Sequence, residues 1–146
     1  MIAIGSDHGG VELKAEICEL LKKLGLEYKD FGTDSKESTD YPIYGEAVCR
    51  AITSGECDRG ILVCGTGIGM SMAANKVSGI RAALCGDCYS AELTRLHNDA
   101  NVLCLGARVL GTGLALKIIE TFLNTSFEGG RHAQRIGMFA GIESRN

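Results

Sequence analysis

The residues best suited to chemistry form a glycine-rich loop, Cys64-Gly65-Thr66-Gly67-Ile68-Gly69, which follows a continuous apolar run. Glycines let main-chain N–H groups approach an anion, and a helix that begins there adds partial positive charge. The thiol of Cys64 would face these groups, which stabilise a thiolate. We interpret the loop as an anion site whose cysteine can act as a base or nucleophile near neutral pH.

The glycine spacing excludes two familiar phosphate-binding loops. Gly65-x-Gly67-x-Gly69 lacks the G-x-G-x-x-G pattern of dinucleotide sites, and no Gly-Lys-Ser/Thr follows, as a P-loop requires. A tight structural turn is the alternative interpretation of the glycines alone. Cys64 at the head of the loop favours a functional site. By contrast, Cys18, Cys49 and Cys104 lie on or near apolar faces and are expected to be small core residues.

Histidines and arginines elsewhere in the chain could complete a site for a phosphorylated substrate. His8 stands beside Asp7 in a polar, glycine-flanked segment, which favours function over core filling. His97 falls at the predicted end of a helix, where a histidine can also simply favour the helix dipole. Arg131 and Arg135 would share a helical face and match phosphate oxygens, although a solvated basic chain end explains the same pattern.

A second cysteine motif, Cys85-Gly86-Asp87-Cys88, has the C-x-x-C spacing of redox pairs and of half a zinc site. The sequence contains no second C-x-x-C and no H-x₃₋₅-H, and the order of its predicted elements is not thioredoxin-like. We therefore expect neither metal nor redox function here. The seven cysteines, scattered through apolar segments, indicate free thiols in a reducing compartment.

The composition is that of a globular protein with no marked charge bias. The chain has 146 residues, of which 45% are hydrophobic and 23% charged, and we expect one domain spanning residues 1–146. A net charge of −3 does not favour nucleic acid or a membrane surface. The apolar runs are too short to span a bilayer, and the N-terminus resembles a strand rather than a signal peptide. We expect a cytoplasmic protein without nucleic-acid or membrane partners.

The elements that must position these residues alternate between short apolar runs and stretches with helical spacing. Alternating strands and helices predict an α/β fold, a doubly wound five-stranded parallel sheet, Rossmann-like or flavodoxin-like, in a three-layer sandwich. We predict a helix that ends at Gly25, others that begin after Asp40 and Asp87, and a last helix from about Gly130 that docks late or against a neighbour. Strands are predicted at Met1–Gly5, Glu27–Phe31, Gly60–Cys64, Ile80–Cys85 and Val102–Leu105, and further helices at 72–74 and 114–123.

Ligands of such sheets bind beyond the carboxyl ends of the strands, where the strand order reverses. Three polar segments should fall there: Ser6–Gly10, Cys64–Gly69 and Gly86–Asp87. If the first and third strands are neighbours, the first two segments face each other across one crevice. We expect this crevice to hold a thiol, two or three imidazoles, an aspartate, an amide cradle and two arginines. That set suits proton transfer on a small phosphorylated substrate.

Six motifs, spread over nearly the whole chain, make the sequence similar to the type B ribose-5-phosphate isomerase family, which includes the galactose-6-phosphate isomerase subunits. The resemblance implies an aldose–ketose isomerase that uses neither a metal nor an organic cofactor. Some members use a glutamate base elsewhere, but Cys64 places this chain in the cysteine branch, and Met70 offers no competing base. The motifs are Gly5–Gly10, Thr39–Pro42, Cys64–Met70, Ala74–Lys76, His97–Asn101 and Glu128–His132.

The resemblance also implies roles for individual residues. Cys64 would move a proton between C1 and C2 of ribose 5-phosphate, and the loop amides with Thr66 would stabilise the enediolate. His97, helped by Asp7, would open the furanose ring, and Asn98 would contact the sugar. His8 and three arginines would hold the phosphate. The implied substrate-binding set is Asp7, His8, Tyr41, Gly65, Thr66, Gly67, Ile68, Gly69, Asn98, Arg108, Arg131 and Arg135.

The same resemblance implies a homodimer with shared active sites, which can pair into a tetramer. Two other functions stay open on the sequence. One is isomerisation of a six-carbon substrate, allose or galactose 6-phosphate, because pocket depth is not readable from the sequence. The other is a non-catalytic nucleotide- or metabolite-binding module, which would need neither a thiol at a strand end nor a ring-opening histidine.

Overall fold

Five parallel strands form one sheet in this computed structural model, which describes residues 1–146. The sheet order is β2-β1-β3-β5-β4, with β1 at Ile2–Ser6, β2 at Tyr28–Asp30, β3 at Arg59–Cys64, β4 at Ala82–Leu84 and β5 at Val102–Gly106. The helices are α1 (Val11–Lys23), α2 (Tyr41–Thr53), α3 (Ile68–Ala74), α4 (Cys88–Asn98), α5 (Thr112–Asn124) and α6 (Arg131–Ser144), and a 3₁₀ turn covers His8–Gly10.

Two hydrophobic cores lie on opposite faces of this sheet. Successive side chains of a strand point to opposite faces, so Ile4 and Leu103 pack with α1, α4 and α5 in a cluster of 17 buried residues. Ala3 and Leu62 belong to a second cluster of 13 buried residues, built with α2 and α3. Helices on both faces of a parallel sheet confirm the predicted three-layer α/β sandwich.

The helix boundaries confirm most of the signals in the sequence. Pro42 lies in the first turn of α2, where its missing N–H costs no helical hydrogen bond. The Asp87 carboxylate accepts a 2.6 Å hydrogen bond from the Ser90 N–H and so caps α4. Gly25 ends the first helix with φ of 70°. Strand β4 is shorter than predicted because it is an edge strand that pairs only with β5.

The strand order determines which loops are neighbours at the carboxyl edge of the sheet. The last two strands are exchanged relative to the flavodoxin-like order 2-1-3-4-5. Strand β3 therefore lies between β1 and β5. As predicted, the segment after β1 faces the loop after β3. The segment after β5, residues 107–108, is hydrogen-bonded to the loop as well. Gly86–Asp87 follow the carboxyl end of β4 as predicted, and Gly86 lines a cavity together with Thr66 and Ile68 of the loop.

The last helix, α6, packs chiefly against α4. His132 is its one buried residue, whereas Met138, Phe139 and Ile142 are exposed. A helix with so little buried surface gains little stability from its own chain. Its docking against a neighbouring subunit stays a prediction. None of the helices has the length and apolar character that crossing a membrane would take.

Candidate active site

Cys64 is the last residue of β3, and its side chain lies beneath the glycine loop. Its Sγ accepts a hydrogen bond from the Gly67 N–H at 3.1 Å, and only 5% of the residue is exposed. Gly67 has φ of 79°, and a Cβ there would come within 2.6 Å of Cδ1 of Leu84. Glycine is therefore required where the chain turns over the sulfur. A hydrogen bond donated to sulfur stabilises its anionic form.

Main-chain hydrogen bonds tie this loop to the end of β5. The Ala107 N–H donates to the Cys64 carbonyl at 2.9 Å, and the Arg108 N–H donates to the Gly65 carbonyl at 2.9 Å. A Cβ at Gly106 would lie 2.5 Å from the carbonyl oxygen of Thr66, so the two segments are in direct contact. The loop is thus held by the backbone of residues 106–108, which limits the directions of its N–H groups.

The segment after β1 forms the opposite wall of the crevice. Asp7, which is 6% exposed, accepts the Gly9 N–H at 2.9 Å through Oδ1. The Nδ1 atom of His8 accepts the Thr39 N–H at 3.2 Å. Arg108, just after β5, extends toward this segment. Cβ atoms built at Gly65 and Gly9 would lie 3.4 Å and 3.6 Å from its guanidinium nitrogens, so the guanidinium lies close to both glycines.

His8 and Arg108 line one cavity of about 530 Å³. The Arg108 guanidinium has no carboxylate partner within the chain. An exposed cation without a partner, beside an imidazole, suits a phosphate group.

Tyr41 covers the far end of the loop. A Cβ at Gly69 would come within 2.5 Å of Cζ and 2.8 Å of the hydroxyl oxygen of Tyr41, so the ring packs directly on the glycine. Of the predicted set, the structure therefore brings together Asp7, His8, Tyr41, Gly65, Thr66, Gly67, Ile68, Gly69 and Arg108 with Cys64.

His97 and Asn98 lie at the opposite edge of the sheet. They end α4, which starts beyond the carboxyl end of β4 and finishes just before the start of β5. An 11-residue helix spans about 16 Å, and a sugar phosphate is shorter than that. Within one chain, the crevice therefore lacks His97 and Asn98, and their place in a site shared between two subunits stays a prediction. The parallel crossover requires α4 to return to the amino edge before β5 can begin.

Arg131 and Arg135 belong to this second group, because they lie on α6 beside the end of α4. Both are exposed, and neither makes an ion pair within the chain. The two arginines share a helical face, as their spacing predicted. The chain therefore carries two incomplete sets of residues: a thiol with an amide cradle at the carboxyl edge, and imidazoles with arginines at the amino edge.

His97 stacks on His132 at the amino edge. Their ring centroids are 4.2 Å apart with planes inclined by 14°, and Glu128 Oε2 lies 3.6 Å from the Nε2 atom of each. Burial and the neighbouring His97 lower the pKa of His132. A metal ion between stacked rings would lie out of both ring planes, where the nitrogen lone pairs do not point. The trio is therefore arranged for stacking rather than coordination.

Comparison with known proteins identifies the family. The sequence profile of the Ribose/Galactose Isomerase family matches residues 2–139. The chain belongs to this family. It is 52% identical to ribose-5-phosphate isomerase B of Escherichia coli, over 99% of this chain and 97% of the relative. It is 47% identical to D-erythrulose-4-phosphate isomerase of Pectobacterium atrosepticum, over 92% of this chain and 90% of the relative.

A solved structure from Clostridium thermocellum, described as ribose-5-phosphate isomerase B, has the same fold. It matches with a TM-score of 0.97 and 58% identity, over 99% of this chain and 97% of the other. The family resemblance drawn from the six sequence motifs is confirmed by these matches. The α/β architecture predicted from strand and helix alternation is confirmed as the fold of this isomerase family.

Sequence reasoning missed the residues of this isomerase that hold the end of α4. Arg95 is 4% exposed, and its Nη1 donates to the Ala100 carbonyl at 2.6 Å and to Asp99 Oδ1 at 2.8 Å. Arg81 Nε donates to the Asp99 carbonyl at 3.0 Å. Asp99 takes a left-handed conformation with φ of 45°, which aspartate tolerates better than most residues. The sequence signal for this helix end was an aspartate, Asp99, directly after the predicted last turn of the helix.

The C-x-x-C motif lies beside the glycine loop, since Cys85 and Gly86 line a cavity together with Thr66 and Ile68. Cys85 is 2% exposed, and burial raises the pKa of its thiol to about 11. A thiol that stays protonated at neutral pH is a poor partner for disulfide exchange. The buried state of Cys49 and Cys104 agrees with their predicted role as core residues, whereas Cys18 is only partly buried.

Proposed function

We propose that this protein interconverts D-ribose 5-phosphate and D-ribulose 5-phosphate, by proton transfer through an enediolate without a metal. The observation that carries the proposal is the Cys64 sulfur, which accepts a main-chain N–H at the head of a rigid amide loop. Aldose–ketose isomerisation needs a base that moves a proton between two adjacent carbons, and donors that stabilise charge on oxygen. The loop offers both within one turn of chain.

The proposed chemistry moves one proton from C2 to C1 and one from O2 to O1, and leaves the composition of the substrate unchanged. The Cys64 thiolate removes the proton from C2 of the open-chain aldose, the C–H electron pair forms the C1–C2 double bond, and O1 gains the negative charge. The thiol then returns the proton to C1, while the O2 proton passes to O1 and O2 becomes the ketone. The Gly67 and Ile68 N–H groups already donate to Cys64 Sγ and Thr66 Oγ1, so the other N–H groups of Gly65–Gly69, with Thr66, would stabilise the charged oxygen. Such donors are each worth about 3 kcal/mol of barrier.

We further propose that the active site forms between two subunits of a homodimer. The separation of Cys64 from His97 supports this, because α4 alone spans about 16 Å. In a dimer with two-fold symmetry, the amino-edge residues of one chain can face the carboxyl-edge crevice of the other. His97 would then open the furanose ring, with Asn98 on the sugar. His8 and Arg108 would share the phosphate with Arg131 and Arg135 of the second copy.

Substrate length is the open choice within this proposal. One relative is described as acting on D-erythrulose 4-phosphate, a four-carbon substrate, and another as acting on ribose 5-phosphate. The six-carbon substrates allose and galactose 6-phosphate are the further candidates. We favour the five-carbon substrate, because the relative of that description is more similar and covers more of the chain. Seven unpaired cysteines agree with a cytoplasmic location.

A substrate panel tests the proposal. Values of kcat/KM would be measured for erythrulose 4-, ribose 5-, allose 6- and galactose 6-phosphate, together with exchange of the C1 and C2 protons into solvent. We expect the highest value for ribose 5-phosphate, with exchange that requires enzyme. Binding of sugar phosphates with neither turnover nor exchange would refute the isomerase and favour a binding module. A higher kcat/KM for another sugar phosphate of the panel would change the proposed substrate but not the proposed chemistry.

A further inference from the structure

We propose that the main-chain N–H of Thr39 fixes His8 as the Nε2–H tautomer, so that His8 presents an N–H donor to the substrate phosphate. Thr39 is then a positioning residue that acts through His8. This inference rests on the proposed function for the phosphate, because it refines the role of His8 in that site. The hydrogen bond from Thr39 to His8 involves neither α6 nor Cys64, and it lies wholly at the carboxyl edge of one chain.

The hydrogen-bond geometry at the imidazole determines the tautomer. The Thr39 N–H donates to Nδ1 of His8 at 3.2 Å. A nitrogen that accepts a hydrogen bond carries no proton, so the proton of the neutral ring lies on Nε2. His8 lines the cavity that Arg108 also lines, and no side chain or carbonyl of the protein accepts a hydrogen bond from Nε2. That N–H is available to a ligand.

The Asp7 carboxylate is the other possible hydrogen-bond partner of Nδ1, and it would select the opposite tautomer. If the ring donated from Nδ1 to the Asp7 carboxylate, Nε2 would be a bare acceptor and would repel phosphate oxygens. The separation of Nδ1 from Asp7 Oδ2 is 3.9 Å, which is too long for a hydrogen bond. The other oxygen of Asp7 accepts the Gly9 N–H at 2.9 Å. The geometry therefore assigns the tautomer to Thr39.

The segment that carries Thr39, residues 31–40, is held at both ends. Near its start, the buried Lys14 ammonium donates to Asp30 Oδ2, the Thr33 carbonyl and Asp34 Oδ1 at 2.7–2.8 Å. At its end, the Thr39 hydroxyl lies 3.0 Å from the Tyr44 hydroxyl on α2. A tethered segment presents its N–H in a constant direction, which is the requirement for fixing a tautomer without a charged partner.

Nitrogen NMR of the full-length protein tests the tautomer directly. The chain has three histidines, so ¹⁵N-histidine labelling with a His8→Asn variant assigns the His8 signals. Spectra would be recorded at about pH 8, where an ordinary imidazole is neutral. We expect Nε2 to carry the proton and Nδ1 to show the shift of an unprotonated nitrogen. A protonated Nδ1, or rapid exchange between both forms, would overturn the proposal.

Two variants separate the main-chain N–H from the side chain. Thr39→Pro removes the N–H, whereas Thr39→Val keeps it and removes the hydroxyl. The probe is inorganic phosphate, whose binding is followed by the His8 signals and needs no isomerase activity. For Thr39→Pro we expect mixed tautomers and phosphate affinity weaker by about three- to tenfold, the equivalent of one hydrogen bond. Thr39→Val should keep the tautomer, because it keeps the N–H and the Lys14 contacts, and loses only the weaker tether to the Tyr44 hydroxyl.

The outcomes of this pair are distinguishable from failure of the proposed function. If Thr39→Pro folds and keeps both the tautomer and the phosphate affinity, the proposal is refuted, whatever the substrate panel shows. If it does not fold, the wild-type and Thr39→Val spectra still decide the tautomer. In steady-state assays, Thr39→Pro should raise KM for the sugar phosphate more than it lowers kcat, because the proposed contact of His8 is with the phosphate and not with the reacting carbons.

Discussion

The two edges of the sheet hold their functional side chains in different ways. At the carboxyl edge, Cys64 and the loop after it are fixed by main-chain hydrogen bonds to β5 and by glycines in contact with neighbouring backbone. At the amino edge, His97 and Asn98 stand at a helix end, and Arg131 and Arg135 are exposed on a helix that buries one residue. The first region is rigid within one chain, whereas the second depends on long side chains.

This difference matches the chemistry that each edge is proposed to perform. Proton transfer between adjacent carbons is sensitive to displacements of about 1 Å, so the base and oxyanion donors belong on rigid backbone. A phosphate dianion is bound by charge over a longer range, and guanidinium groups can adapt to it. A site completed by a second copy of the chain can therefore leave its arginines flexible until assembly. The following predictions test this division.

The largest expected effect is at the rigid edge. Cys64→Ala should lower kcat by about 10²- to 10⁴-fold, the usual contribution of a positioned base. Exchange of the C2 proton into solvent should fall by the same factor, because the same group performs both steps. Cys64→Ser should also be impaired, since a hydroxyl is a far weaker base than a thiolate.

Cys88→Ser is the matched control for this experiment, because Cys88 is a partly buried thiol outside the crevice. It should retain near wild-type turnover. Near wild-type turnover in both Cys64 variants would show that the base lies elsewhere.

The second prediction tests whether the two edges meet across a dimer. Cys64→Ala and His97→Asn should each be nearly inactive. Mixing them with subunit exchange should restore about one quarter of wild-type activity, because half of the dimers are mixed and each holds one intact site. The same mixture of cross-linked, non-exchanging dimers is the control. A mixture that stays inactive after verified exchange would place the complete site within one chain.

The third prediction concerns the adaptable edge. Arg131→Ala and Arg135→Ala should each raise KM by about tenfold or more, which corresponds to loss of a charge-assisted hydrogen bond. The effect should shrink at high salt, because the contact is electrostatic. Arg145→Ala, an exposed arginine later on the same chain end, should leave KM unchanged. An equal change for Arg145 would indicate only a general effect of net charge.

The sequence predicted the rigid edge better than the adaptable one, for physical reasons. The apolar run ending at Cys64 and the glycines after it are local signals, and local backbone geometry follows from them. That the segment with Arg108 is hydrogen-bonded directly to the loop depends on the exchanged order of β4 and β5. That order is set by the packing of whole crossover units, which no short pattern encodes.

The amino edge shows the same limit more strongly. His97, Arg131 and Arg135 were recognisable by type and spacing, but within one chain they lie away from the crevice of Cys64. Their position follows from the direction of α4, which any βαβ crossover reverses relative to the strands. The hydrogen bonds of Arg81 to Asn98 and Asp99 were invisible, because they join positions 17 and 18 residues apart. Lys14 was missed for the same reason. Arg95 bonds residues only four and five positions away, so its i,i+4 spacing to Asp99 was a local signal that was overlooked.

The smallest expected effect is on stability at the rigid edge. Lys14 is 3% exposed in its side chain and donates to two carboxylates and a carbonyl. Lys14→Met should lower the free energy of unfolding by about 1–3 kcal/mol, because it leaves the partly buried acceptors unpaired. Urea unfolding at fixed protein concentration measures this. Lys22→Met removes an exposed pair with Glu19 on the same helix and should have a much smaller effect, because water screens an exposed ion pair.

The pH dependence gives this prediction its sign. Burial alone would lower the pKa of Lys14, but the hydrogen bonds and charges of Asp30 and Asp34 outweigh it and raise the pKa above its ordinary value. A raised pKa in the folded state stabilises the protein at neutral and mildly alkaline pH, and this contribution is lost as the pH rises through the folded value. The difference between wild type and Lys14→Met should therefore be constant near pH 7 and shrink in strongly alkaline solution. A difference that grows with pH would mean that Lys14 is held neutral. The carboxylates would then not anchor the segment of residues 31–40, which carries Thr39 to His8.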